Sequence, residues 1–152
     1  MYRMKPNGLD LTAEALATNS LWTGWSEIPH ASQASSQQEL RDEIRATYDR
    51  TTRSAAAQAH SFWLFLREME PGDYVVTPAQ GTVHIGRVLG EPRFHPDGVQ
   101  SDSAWRRPVV WTVLDLPRSA LSAPLRKKLY NPNTAADLSD CVQEIETISR
   151  SA

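Results

Sequence analysis

Two tryptophans bracket a glycine in the stretch SLWTGWSEI, residues 20–28, and Ser26 and Glu27 follow directly. An indole joins a large flat apolar surface to a single N–H donor, so it is costly to expose and awkward to bury without a partner. The segment is too short and too punctuated for an amphipathic helix. In a strand, Trp22 and Trp25, three residues apart, point to opposite faces. On the residues alone, Trp25 is either a plug of the core or a wall against which a flat ligand stacks. Phe94 and Trp105 frame a second such place, the polar, Gly- and Pro-containing loop FHPDGVQSDSAW. Exposed aromatics in a loop of that kind contact a ligand or shield the domain like a lid. Trp63, on a helix, and Trp111, in a strand, read as structural.

No catalytic constellation accompanies these rings. His30, His60, His84 and His95 show no metal-ligand spacing, and there is no nucleophile elbow, phosphate-binding Gly-rich loop or zinc-deaminase signature. A nuclease-type acidic pair followed by E-x-K is missing too; ELRDEIR, residues 39–45, reads as a solvated helical face. The residues by themselves therefore supply no candidate for catalysis, and no cofactor and no metal are expected. The single Cys141 excludes an intrachain disulfide and a cysteine-based zinc cluster.

The 152 residues suit one domain with one sizeable core, and 40% hydrophobic with 22% charged residues is ordinary for a globular protein. No run is apolar and long enough to cross a bilayer, and the first residues lack the apolar centre of a signal peptide. A cytoplasmic protein with no membrane partner is expected. The net charge of −2 argues by itself against a nucleic-acid binder. Its distribution does not: Arg87 to Lys128 holds eight basic residues against four acidic ones. Such asymmetry suits a phosphate-facing surface or an ordinary solvated face equally.

Patterning supplies the elements. MYRMKP, residues 1–6, reads as a strand ended by Pro6, and 9–19 as a helix capped at Asp10 or Thr12. LWTGW, 21–25, reads as a strand. Ser36 with Glu39 forms a capping box for a helix carrying Leu40, Ile44 and Tyr48 at helical spacing. A second helix covers 54–69, with Phe62, Phe65, Leu66 and Met69 as its stripe. DYVVT (73–77) and GTVHIGRVLG (81–90) form a hairpin, PVVWTVLDL (108–116) is a further strand, and short helices are expected within 119–129 and 134–148. The sum is an α+β domain over residues 1–146, built on a small curved sheet or barrel flanked by helices, with 147–152 as a C-terminal tail.

Three ordered blocks carry a resemblance. GWSEI at 24–28, EMEPGDYVV at 68–76 with VHIGRVLG at 83–90, and RPVVW at 107–111 resemble the PUA-like domains of the EVE type. The closest pattern is that of the N-terminal reader domains of Mrr- and McrB-like modification-dependent restriction proteins. PRSALSAPLRKKL, 117–129, resembles a later segment of the same family. More distantly, TGWSE resembles the pocket strand of YTH domains, and KPN at 5–7 their first-strand ending.

The resemblance implies a module that binds DNA and recognises a modified base, a methylated one foremost, flipped into an aromatic pocket. Trp25 would be the wall, Ser26 and Asn7 would meet the base edge, and Phe94 or Trp105 would be the second wall. Trp22 would pack behind. Arg93, Arg106, Arg107, Arg118, Lys127 and Lys128 are the candidate contacts to the nucleic-acid backbone. Any cutting would belong to a nuclease domain or subunit. Two alternatives stay open: an RNA-binding module of PUA or YTH type, and a protein-interaction or regulatory domain without nucleic acid.

Overall fold

A computed structural model describes residues 1–152. Several of its helices begin where short polar side chains satisfy free helix amides. Asp10 Oδ1 accepts from the Thr12 amide at 3.1 Å and opens helix α1, Thr12–Ala17. Strand β1, Ser20–Thr23, follows. Helix α2, Gln37–Tyr48, starts at Ser36, whose hydroxyl accepts from the Glu39 amide at 3.1 Å. The reciprocal half of the expected capping box is shifted by one residue, because the Glu39 carboxylate takes the Ser35 amide (2.8 Å). Asp49, left-handed at φ 49, ends α2.

Helix α3, Thr52–Trp63, begins two residues before the expected 54, since Thr51 caps the Ser54 amide at 3.2 Å. It runs into a π turn at Leu64–Glu68, where the Met69 amide reaches the Leu64 carbonyl at 2.9 Å. Strands β2 (Tyr74–Pro78), β3 (Thr82–Val88), β4 (Arg93–Phe94) and β5 (Trp105–Pro117) come next, then helices α4 (Ala123–Leu129) and α5 (Val142–Ser151).

The antiparallel sheet runs β1-β5-β3-β2, with β4 also paired to β5, and curls into a half-barrel flanked by helices. Long β5 is the spine: its first residues pair with β1 and β4, the remainder with β3. Two register shifts against β3 bend it, and the one between Ile85 and Gly86 turns Val109 and Val113 to opposite faces. Period-two alternation then gives the sheet two cores. Val75 and Val88 join Leu40, Ile44, Phe62, Phe65 and Trp105 under α2 and α3. Val76, Val83 and Ile85 join Leu125, Leu129 and Ile145 under α4 and α5. The architecture is therefore the α+β arrangement with a small curved sheet that patterning indicated.

Three local expectations are corrected. Residues 1–6 form no regular strand; Tyr2 bridges Ala135 and donates to Val76 O at 3.0 Å. The segment lies between two partners that each take only part of its backbone, and Pro6 has no amide to extend a ladder. The helix expected in 134–148 is delayed to Val142 behind a 3₁₀ turn at Ser139–Cys141. Residues 147–151, expected as a tail, continue α5, and Ile148 packs on the second core.

Candidate functional site

β1 ends at Thr23, and the two residues after it shape the candidate site. A Cβ on Gly24 would lie 2.8 Å from Asp102 Oδ2 and 3.2 Å from Pro6 Cβ, so only glycine fits that approach. Trp25 follows with φ 57, the left-handed region, where a bulky residue costs about 1–2 kcal/mol. Tertiary contacts hold it there. Its ring stacks on Phe62, centroids 4.6 Å apart and planes at 20°. Its indole N–H donates to Gln58 Oε1 at 3.0 Å, and the Gln58 amide is set in turn by Ser54 Oγ at 3.0 Å.

Trp25 walls a cavity of about 440 Å³, within the range of roughly 300–1,000 Å³ typical of small-ligand sites. Six parts of the chain meet there. The N-terminal segment brings Arg3, Lys5 and Asn7; the end of β1 brings Thr23 and Gly24; and the end of α2 brings Tyr48 and Arg50. Gln58 of α3, Asp102 of the loop before β5 and Thr134 beyond α4 complete the polar lining. Asn7, Trp25 and Asp102 are all left-handed (φ 50, 57 and 49), half of the six non-glycine residues in that region. Strain gathered at one cavity is a mark of ligand sites. A more apolar groove of about 560 Å³, lined by Leu64, Met69, Val142 and Ile145 among others, contains no such residue.

Asp102 ties the rim together. Its Oδ1 accepts from the Ser26 amide at 2.9 Å and its Oδ2 from Asn7 Nδ2 at 3.1 Å. Opposite polar chemistry comes from Tyr48, whose hydroxyl accepts from the Glu27 amide at 3.1 Å. Burial pushes the phenol pKa up to about 12, so Tyr48 keeps its proton and can donate it. The cations differ in availability. Arg3 donates to the carbonyls of Leu129, at the end of α4, and of Asn131 and Asn133 just after it, and burial lowers its pKa. Lys5 pairs with Asp10 at 3.2 Å. The exposed Arg50 side chain has neither a hydrogen bond nor an ion pair within the chain.

Of the residues singled out in the sequence for a base pocket, Trp25 and Asn7 do share this cavity. Ser26 is buried, and its hydroxyl accepts from the Ala104 amide at 3.1 Å, so it braces the rim from behind. Trp105 is no second wall: it is 2% exposed, edge-on to Phe62 at 6.0 Å, with its N–H on Ile28 O at 3.2 Å. Phe94 packs edge-on against Trp105 at 5.4 Å, on that same core stack. Trp22 is half-buried, with the Arg106 guanidinium 4.1 Å above its ring. The second aromatic at the cavity is Tyr48, which helical spacing marked only as a core residue.

The expected phosphate contacts are scattered and none lines the cavity. Arg107 is buried, 1% exposed, donating to Gly90 O at 3.0 Å and Phe65 O at 2.6 Å, so it cannot meet a backbone phosphate. It instead serves the carbonyl left free by the π turn. Arg106 is held by Asp97 at 3.3 Å and Ser103 O at 3.0 Å. Arg118 binds the carbonyls of Thr82 and Ala79, and Lys128 pairs with Asp140 at 2.8 Å. Arg93 and Lys127 are exposed. The sequence reading did not pick out Arg3, Lys5 and Arg50, because nothing in their spacing along the chain shows that the N-terminal segment and the end of α2 meet.

A family model described as a domain of unknown function, DUF8426, matches residues 3–137. The chain belongs to this family. Every residue lining the cavity, from Arg3 to Thr134, falls inside the DUF8426 span, whereas α5 lies beyond it. No curated protein and no solved structure matches the chain. No helix is long and apolar enough to cross a membrane.

Proposed function

We propose that this DUF8426 chain is a reader module that binds DNA and takes one modified base, a methylated base foremost, out of the stack into the Trp25 cavity. The observation that carries the reading is the meeting, at one strained rim, of Trp25, a neutral Tyr48 phenol, the amide of Asn7 and the cations Arg3, Lys5 and Arg50. A flipped nucleotide has apolar faces, a hydrogen-bonding edge and a phosphate, and each finds a counterpart there. Extrusion costs a few kcal/mol, against which base–aromatic stacking contributes about 1–3 kcal/mol. A buried methyl adds on the order of 0.8 kcal/mol, enough to bias the choice of base.

The ordered blocks resembling PUA-like domains of the EVE type support the same reading. By that resemblance the chain is the specificity module of a modification-dependent restriction system in the cytoplasm. Cutting then belongs to a nuclease domain or subunit, and the chain itself carries no catalytic step. The test is binding to duplexes that differ only in one modified base, across a salt series, with matched RNA as a third arm. Preference for a modified duplex is expected. Preference for RNA moves the module to the RNA-reading class, and no binding to either leaves a protein-interaction domain.

A further inference from the structure

The polar corner of the cavity has a directional chemistry that goes beyond a general aromatic pocket. Asp102 lines the cavity while each of its carboxylate oxygens already accepts one hydrogen bond, from Ser26 N at 2.9 Å and from Asn7 Nδ2 at 3.1 Å. An ionised carboxylate is acceptor-only and has about four lone-pair sites, so about two remain for a ligand. These two contacts, and the Oδ2 that would lie 2.8 Å from any Cβ on Gly24, fix where the carboxylate sits. Asn7 beside it spends one amide proton on Asp102 and keeps one donor and its carbonyl oxygen. A ligand at this corner must therefore present a donor hydrogen to Asp102, which on a base edge is an N–H. A carbonyl oxygen turned to Asp102 meets lone pairs and a negative charge, and the free Asn7 amide proton is left for the acceptor beside it.

We propose that, within the base-reader function above, Asp102 selects a base whose edge carries an exocyclic amino group, the cytosine or adenine type, and rejects the corresponding keto base. Asp102 accepts the amino N–H, and Asn7 meets the neighbouring ring nitrogen with its free amide proton. Acceptor side chains are the usual partners of exocyclic amines on base edges. A methyl elsewhere on the same base is left to the apolar part of the wall. The modification is thus read on top of an amino-type base, and a thymine of identical methyl shape is excluded.

The inference rests on the proposed reader function, and one experiment separates the two. Single-stranded oligonucleotides identical except at one position carry either 5-methylcytosine or thymine, which share the methyl and differ in amino against keto. A second pair carries adenine or hypoxanthine, which differ in amino against keto at the same ring carbon. Wild-type protein is expected to favour the amino member of at least one pair by about tenfold or more. Asp102→Asn keeps an oxygen for the Ser26 amide and places an amide where Asn7 can turn its own oxygen to meet it, so the rim has a route to persist. Its preference is expected to shrink by about tenfold or to invert toward the keto base. Equal binding of both members of each pair by wild-type protein overturns the role of Asp102 and leaves the reader function standing. Failure of all four oligonucleotides and of the modified duplexes to bind overturns both. The wild-type comparison decides the matter even if the variant does not fold.

Discussion

The Trp25 indole lies flat on Phe62, with centroids 4.6 Å apart and planes at 20°, although Trp25 itself sits at φ 57. The stack ties the unusual turn after β1 to α3, so the cavity wall and the main core share one ring. Trp25 is only 8% exposed.

Removing that ring therefore reaches the core. Trp25→Ala is expected to lower the unfolding free energy by about 3–5 kcal/mol. Trp25→Phe keeps a ring over Phe62 but leaves Gln58 Oε1 without its donor, at a cost of about 1–3 kcal/mol. Urea denaturation reads both. An alanine variant as stable as wild type would place the ring outside the core. The phenylalanine variant is the one suited to binding assays.

Gly24→Ala is expected to destabilise by about 1–3 kcal/mol, because the new methyl meets Asp102 Oδ2 at 2.8 Å. The first group to give way is the Asp102 clamp on Ser26 and Asn7, so amide exchange at Ser26 should quicken beyond the global change. A Gly24→Ala protein with unchanged stability and unchanged Ser26 protection would mean that the turn has slack.

Arg107 and Arg50 should separate stability from binding. Arg107→Ala strips the donors from Phe65 O and Gly90 O in the interior and is expected to cost about 3 kcal/mol or more. Arg50→Ala, exposed and without a side-chain partner, should stay within about 0.5 kcal/mol of wild type. If Arg50 meets a phosphate, as the proposed function requires, its loss flattens the log–log salt slope by about 0.9. An unaltered slope removes Arg50 from the interface.

Protonation sets both ends of the stability profile. Hydrogen bonds from the Ser139 amide and hydroxyl hold the Asp137 carboxyl below its usual pKa, and those of Ser35 do the same for Glu39. A lowered folded pKa means stability that is complete above the ordinary carboxylate range of about 4 and lost as pH falls through the folded values. Tyr48 has the opposite sign. Its pKa is pushed up to about 12 by burial. Its contribution is complete below the ordinary tyrosine value of about 10 and is lost as pH rises from there through about 12. Denaturation midpoints between pH 3 and 7 and phenolate absorbance between pH 9 and 12 check the two limbs. Tyr48→Phe should remove a late-titrating phenol; a variant with the same titration curve as wild type would contradict that account.

Local chemistry was legible in the sequence. Asp10 and Ser36 start helices where short polar side chains can take an amide, and alternation in 73–77, 81–90 and 108–116 marks the sheet, because these signals act over a few residues. Trp25 and Asn7 were also identifiable, the first as a flat ring beside a glycine and the second through its motif. Arg106 and Arg107 show where such reading stops. Alternation says that two neighbours on β5 face opposite ways, but only pairing with β1 and β4 and the π turn at Phe65 decided that Arg107 is the one inside. Trp105 went the same way, drawn under Phe62 by the bend of β5. The cavity gathers Arg3, Asn7, Trp25, Tyr48, Arg50, Gln58 and Asp102 from separate elements. No spacing along the chain encodes that meeting; it follows from how α2 and α3 pack on the end of a curled sheet.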